Sequence, residues 1–224
     1  MAVIGIVLLA GAAWAEEAAV LKTQKDKVSY GIGMNIGKSL KKDAVDVDAD
    51  LLVKGLKDSL SDGKTLLSEE EYRATLTALQ KEMMEKQAEA TKALAEKNKK
   101  DGEAFLSENG KKEGVVTLPS GLQYKVIKSG TGKSPKPADT VETHYRGTLI
   151  DGTEFDSSYK RGQTATFPVD GVIPGWTEAL QKMKEGDKWQ LFVPSNLAYG
   201  ERGAGRDIGP NATLIFEVEL IAVK

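Results

Sequence analysis

The spacing of apolar residues changes once along this chain, near Gly110, and that change limits the fold more than any other feature. Before it, Val28, Ile32, Ile36 and Leu40 recur every fourth residue, and Leu51, Leu52, Leu56 and Leu60 form a second stripe that ends before Gly63. Such spacing puts apolar side chains on one face of a helix. Beyond Gly110 the segments are short, alternate apolar with polar residues and are broken by Gly and Pro, which is the pattern of strands and turns. The expectation is an α+β protein whose helices and sheet are separated in sequence.

A third helix opens at Ser68 and Glu71, which have capping-box spacing, and follows Tyr72, Leu76, Leu79, Met83, Ala90 and Leu94 in near-heptad steps to about Asn109. At about 1.5 Å per residue it would span roughly 60 Å. Its later part, KEMMEKQAEATKALAEKNKKDGE, has few large apolar side chains and reads as a solvated spacer laced with charge pairs. The two short helices before it are too small to sustain a core alone, so a homodimer through them is expected. Gly31 to Ser39 ends like a phosphate-binding loop, but Ile32 stands where that loop needs Gly and the charged KTQKDK precedes it in place of a strand. Gly33 and Gly37 read instead as points of close helix approach.

With no cysteine and one histidine, disulfide, structural-zinc and thiol chemistry are closed to this chain. A net charge of -2 offers no positive field for nucleic acid. The opening MAVIGIVLLAGAAWA, followed by Glu16 and Glu17, reads as a signal peptide whose apolar core falls short of the roughly 20 residues of a membrane span, with a retained membrane anchor as the alternative. The expected organisation is a leader at 1–15, a helical dimerisation module at 16–66, a long connecting helix at 67–112 and a sheet domain at 113–224.

Within that last domain, Gly121 to Ile127, Val141 to Ile150, Lys188 to Val193 and Thr213 to Val223 are candidate strands, with Asp151-Gly152 as a hairpin turn. Leu214, Phe216, Val218 and Leu220 share one face while Glu217 and Glu219 take the other. One helix from about Gly175 to Glu185, with Pro174 ahead and Gly186 behind, carries Trp176, Leu180 and Met183 on one stripe. A twisted antiparallel sheet wrapped around one short helix is the architecture expected.

The ordered set HYRG, DGTEFDSS, VIPGW, LAYG and GPNATLIFEVEL resembles the FKBP-type peptidyl-prolyl cis/trans isomerases, and the helical half with its PSGLQYKVI entry resembles their macrophage infectivity potentiator subgroup. The resemblance implies an enzyme that assists the folding of exported, proline-containing polypeptides without cofactor or metal. It also implies homodimers, macrolide inhibitors, and a periplasmic or outer-membrane-associated location in a Gram-negative bacterium. Matched by position, Trp176 would floor the pocket, with Tyr145, Phe155, Phe167, Val172, Ile173, Ile208 and Phe216 around it. The Tyr199 hydroxyl and the Ile173 N–H would orient the substrate, and Asp156, paired with Arg161, would supply the pocket carboxylate. Ala165, Ala204 and Asp207 depart from bulkier or more apolar family choices. His144 alternates with Tyr145 and so faces away from the pocket as an ordinary sheet residue. A holdase that grips clients between dimeric arms is the alternative reading, and turnover of a short X–Pro peptide separates the two.

Overall fold

The computed structural model describes residues 21–61 and 63–224; the expected leader lies outside them. The chain divides into two compact units, the first ending at Arg73 and the second running Ala74–Lys224.

Helices α1 (Gln24–Lys42) and α2 (Ala49–Leu60) and the start of α3 (Glu69–Asn109) make up the first unit. Each helix begins on a side chain that takes up N–H groups left free in the first turn. Thr23 and Asp26 cap α1 reciprocally, so it starts two residues before Asp26, while Asp48 accepts from the Asp50 and Leu51 N–H groups. Ser68 and Glu71 form the anticipated box at the head of α3. Gly31 to Ser39 lies within uninterrupted helix, so no phosphate-cradling loop exists there. The close approach expected at Gly33 and Gly37 is not made among the described residues, since a Cβ on either would meet nothing within 4 Å.

In the second unit, β1 (Val115–Thr117), β2 (Gln123–Lys128), β3 (Thr140–Leu149), β4 (Glu154–Ser157), β5 (Ala165–Pro168), β6 (Lys188–Val193) and β7 (Leu214–Val223) form one seven-stranded antiparallel sheet. Its order is β1-β2-β6-β7-β3-β4, with β5 also paired to β3. Alternation on β7 is the one read from sequence, with Leu214, Phe216, Val218 and Leu220 buried; on β3, Val141, Thr143, Tyr145 and Gly147 share the inner face. The strand β4 completes the hairpin expected at Asp151-Gly152, whereas β1 and β5 are not legible in the sequence because three or four residues are too few to show a period.

Two further short helices follow β4 and β5. They are α4 (Ser158–Arg161), capped by Ser157, and α5 (Pro174–Leu180), which begins on proline and packs its Trp176, Ala179 and Leu180 into the core. Where the sequence predicts helix to Glu185, α5 closes at Leu180. The chain there is drawn into a turn by the Asp187 carboxylate, which accepts from the Lys184 N–H at 2.6 Å, and by Gly186 at φ 91°.

The expected solvated spacer is also corrected over its last turns. Leu94, Asn98, Gly102, Phe105 and Asn109 lie three or four residues apart, on one face of α3, and within the second unit that face rests on the sheet and the loop before β7. Asn98 donates to the Pro210 carbonyl at 2.8 Å, Phe105 meets the Phe192 ring at 5.9 Å between centroids, and buried Asn109 donates to Gln123 at 3.0 Å. The absence of a side chain at Gly102 lets the helix come this close. A Cβ on Gly102 would overlap the Thr213 hydroxyl and fall 3.2 Å from its Cβ.

Gly102→Ala therefore sets an overpacking cost of about 1–3 kcal/mol against about 1 kcal/mol gained in helix propensity. Urea unfolding is expected to show a net loss of about 1 kcal/mol, regained when Thr213→Ala is added. Unchanged stability in the single variant would refute the tight seat.

Candidate active site

The inner face of the sheet, α5 and the loops around Val172 and Ile208 line an open cavity of about 650 Å³. Its floor is Trp176, 4% exposed, whose position follows from the turn before it. A Cβ on Gly175 would lie 2.6 Å from the Val193 side chain, so only glycine lets the first turn of α5 press against the end of β6. Tyr145, Phe167 and Phe216 meet the indole near edge-on, with centroids 5.3, 5.9 and 5.2 Å away. Phe155 stands edge-on to Phe216 at 5.6 Å.

Phe155 and Asp156 are consecutive, yet both line the cavity, which regular β4 geometry would forbid. A bulge resolves this. Gly147 pairs with Asp156 and Thr148 with Glu154, leaving Phe155 as the extra residue. Gly147 makes room for the arrangement, since a Cβ there would fall 2.6 Å from the Phe155 ring and 2.9 Å from the Phe216 ring. Gly147 is the residue that sequence reasoning missed; it was visible only as the last letter of HYRG, because nothing local says what a Cβ would strike.

Polar groups gather at one side. The Tyr145 hydroxyl donates to Asp156 at 2.5 Å, and Arg161 donates to the other Asp156 oxygen and to the Tyr145 hydroxyl, the latter at 2.8 Å. The expected Asp156–Arg161 pair is thus present, with Tyr145 as a third member. Burial pushes the Asp156 carboxyl up, but the Tyr145 hydroxyl and the Arg161 guanidinium outweigh it and hold the group below its ordinary value. Burial, and then the hydrogen bond to Asp156, raise the Tyr145 phenol, and its bonds to Tyr145 and Asp156 raise Arg161. The cluster consequently holds one carboxylate, one neutral phenol and one guanidinium across neutral pH.

Of the residues expected at the site, Tyr145, Phe155, Asp156, Phe167, Val172, Ile173, Trp176, Tyr199, Ile208 and Phe216 all line the cavity, together with Ala204 and Asp207. Arg161 stands behind Asp156 and Tyr145 instead of on the lining, and Ala165 packs against the core without reaching the cavity. Among the described residues, neither the Tyr199 hydroxyl nor the Ile173 N–H has a hydrogen-bond partner, so both are free to donate to a bound molecule. His144 faces away as expected, with Nδ1 3.0 Å from the Ser158 hydroxyl and its ring stacked on Tyr159.

Because the folded-state value of Asp156 lies below the ordinary carboxylate value of about 3.9, the stability that the cluster contributes is complete above that value and is lost as pH falls through the folded one. Arg161→Leu removes the guanidinium's hydrogen bond and charge from Asp156 while leaving the burial. The Asp156 carboxyl resonance, followed by NMR, is then expected to titrate at higher pH than in the parent; a titration that did not move would show the guanidinium to be without influence.

Comparison with known proteins accounts for both units. Residues 131–221 match the family described as FKBP-type peptidyl-prolyl cis-trans isomerase, and residues 25–126 match the domain amino terminal to it. The outer membrane protein MIP of Legionella longbeachae is 52% identical, the match covering 94% of this chain and 90% of that protein. The peptidyl-prolyl cis-trans isomerase Mip of Coxiella burnetii is 47% identical, covering 94% and 91%. The crystal structure of FkpA from Escherichia coli superimposes with a TM-score of 0.72 at 39% identity, covering 92% of this chain and 99% of that one. With likeness of this extent in sequence, fold and both halves, the chain belongs to the FKBP-type peptidyl-prolyl cis-trans isomerases, on their Mip-like branch.

Proposed function

We propose that the isomerase activity of this chain resides in the Trp176 cavity and acts on X–Pro bonds of unfolded or exported polypeptides by holding the amide in its twisted form. Rotation about the bond breaks amide resonance against a barrier of about 18–20 kcal/mol, and unaided it takes tens to hundreds of seconds. The twisted amide has lost the delocalised dipole that water solvates in the planar form, so a dry aromatic pocket favours the twisted state over the ground state.

The observation that carries this reading is the buried indole ringed edge-on by Tyr145, Phe167 and Phe216 at the bottom of a cavity of about 650 Å³. Trp176 lies beneath the proline ring, and Tyr145, Phe155, Phe167, Val172, Ile208 and Phe216 wall it. The Tyr199 hydroxyl and the Ile173 N–H donate to substrate carbonyls. Asp156, kept ionised by its partners, shapes the field at the carbonyl and does not transfer a proton; Arg161 positions it. Macrolides compete for the same space. Family membership favours catalysis over the holdase alternative.

The organisation proposed with this function is a dimerisation module at 16–66, a connecting helix at 67–112 whose last turns rest on the sheet, and an isomerase domain at 113–224. The partner of the helices is a second copy of the chain. Neither α1 nor α2 has a buried residue, and Val28, Ile32, Leu51 and Leu56 are each at least half exposed, which leaves apolar faces in want of cover. Export through a leader at 1–15 to the periplasm or the outer membrane is supported by the apolar run itself and by the outer-membrane designation of the Legionella relative. Among the described residues no helix is long and apolar enough to cross a membrane.

NMR exchange on a short X–Pro peptide tests the site. Tyr199→Phe is expected to lower kcat/KM about fivefold, the loss of one ordinary hydrogen bond, and Asp156→Ala to lower it further by removing the carboxylate to which both Tyr145 and Arg161 donate. With the charge state of the cluster constant, the parent profile should be flat from about pH 5 to 9; a midpoint near neutrality would mean that a proton is transferred. Sedimentation should give a dimer mass, and a monomer at every concentration would refute the second copy.

A further inference from the structure

One side of the pocket is a flap from Gly200 to Pro210 that contributes Ala204, Gly205, Asp207 and Ile208 to the lining. The flap is paired to itself. The Ala204 N–H donates to the Ile208 carbonyl at 2.8 Å, and the Ile208 N–H returns to Ala204 at 3.2 Å. Gly203, at φ 64°, packs so closely on Ile208 and Gly209 that a Cβ would strike their backbone. The base is closed by the Asn211 N–H on the Gly200 carbonyl at 2.8 Å. A loop tied in this way is expected to move as one body about its base, so whatever holds the base sets where the flap lies.

The base rests on α3. Asn98 donates to the Pro210 carbonyl at 2.8 Å, and Asn211, in left-handed backbone at φ 56°, reaches the Ala95 carbonyl at 3.4 Å. Gly209 faces the same helix, since a Cβ on it would fall 3.1 Å from the Asn98 amide nitrogen and 3.2 Å from a Leu94 methyl. No residue of α3 lines the pocket.

We propose that Asn98 is a positioning residue for the isomerase: by holding the Pro210 carbonyl, with Leu94 against Gly209, it sets how far the flap lies over the aromatic floor. The inference rests on the assignment of the Trp176 cavity as the isomerase site. The flap walls the pocket away from the indole floor, so its contacts serve planar and twisted peptide alike. Displacing it should therefore weaken substrate binding without slowing the bound step.

The test uses the full chain and NMR exchange on an X–Pro peptide over a range of concentrations, with thermal unfolding measured alongside. Asn98→Asp keeps the shape, removes the amide donor and sets a carboxylate against a carbonyl. Gly209→Ala disturbs the same contact from the flap side. Both are expected to raise KM about fivefold, the scale of one hydrogen bond, with kcat within about twofold of the parent. Lys99→Ala, at an exposed position of the same helix, should leave KM unchanged. An unaltered KM in both variants overturns the proposal, as does a rise in the Lys99 variant or a fall in kcat that tracks lost thermal stability. A parent protein without turnover overturns the assignment of the cavity instead, a result the variants cannot produce.

Discussion

The structure depends first on the burial of one indole. Trp176 lies at the bottom of the cavity with its Nε1 atom lacking an acceptor among the described residues. A buried unpaired donor costs about 1–3 kcal/mol. Three near-perpendicular ring contacts, each worth about 0.5–1.5 kcal/mol beyond area, offset a cost of that size. They come from β3, β5 and β7, so the floor holds together strands that do not follow one another in the chain. The Gly175 turn against Val193 then decides the depth of the indole, and with it the depth of the cavity.

Around that floor the backbone departs from regular geometry where the site needs it to. An unbroken β4 would send Phe155 and Asp156 to opposite sides of the sheet. The bulge opposite Gly147 lets an aromatic wall and a carboxylate come from adjacent residues. Glycine at position 147 is the other half of this device, because the space a Cβ would occupy is filled by two phenylalanine rings. The pocket thus places a polar corner beside an apolar floor within one short strand.

Charge and burial work against each other at that corner, and the partners decide the outcome. Alone, a carboxyl moved out of water would gain a proton. With the Tyr145 hydroxyl on one oxygen and Arg161 on the other, Asp156 keeps its charge, and Arg161 is brought to it by the single turn of α4 after Ser157. The helical half follows a different economy of residues. The early turns of α3 are exposed, whereas its last turns use Asn98, Gly102 and Asn109, small or polar residues, to reach the sheet and the flap base.

Much of this is legible in the sequence. The helix periods around Val28 and Leu51, the capping box at Ser68, the alternation of Leu214, Phe216, Val218 and Leu220, and the ring of aromatic residues that line the cavity all follow from local pattern or from ordered motifs. Local pattern suffices there because side-chain direction in a helix or strand is set by backbone geometry a few residues long. It failed where a neighbour distant in sequence decides the result. The early end of α5 depends on the Asp187 carboxylate, the bulge at Phe155 on Gly147, and the seat of α3 on Thr213 and Pro210. Residue order along the chain determined which side chains would face inward. Only the tertiary structure decided which of them meet and how close they come, because those distances are set by steric contacts between segments that share no local period.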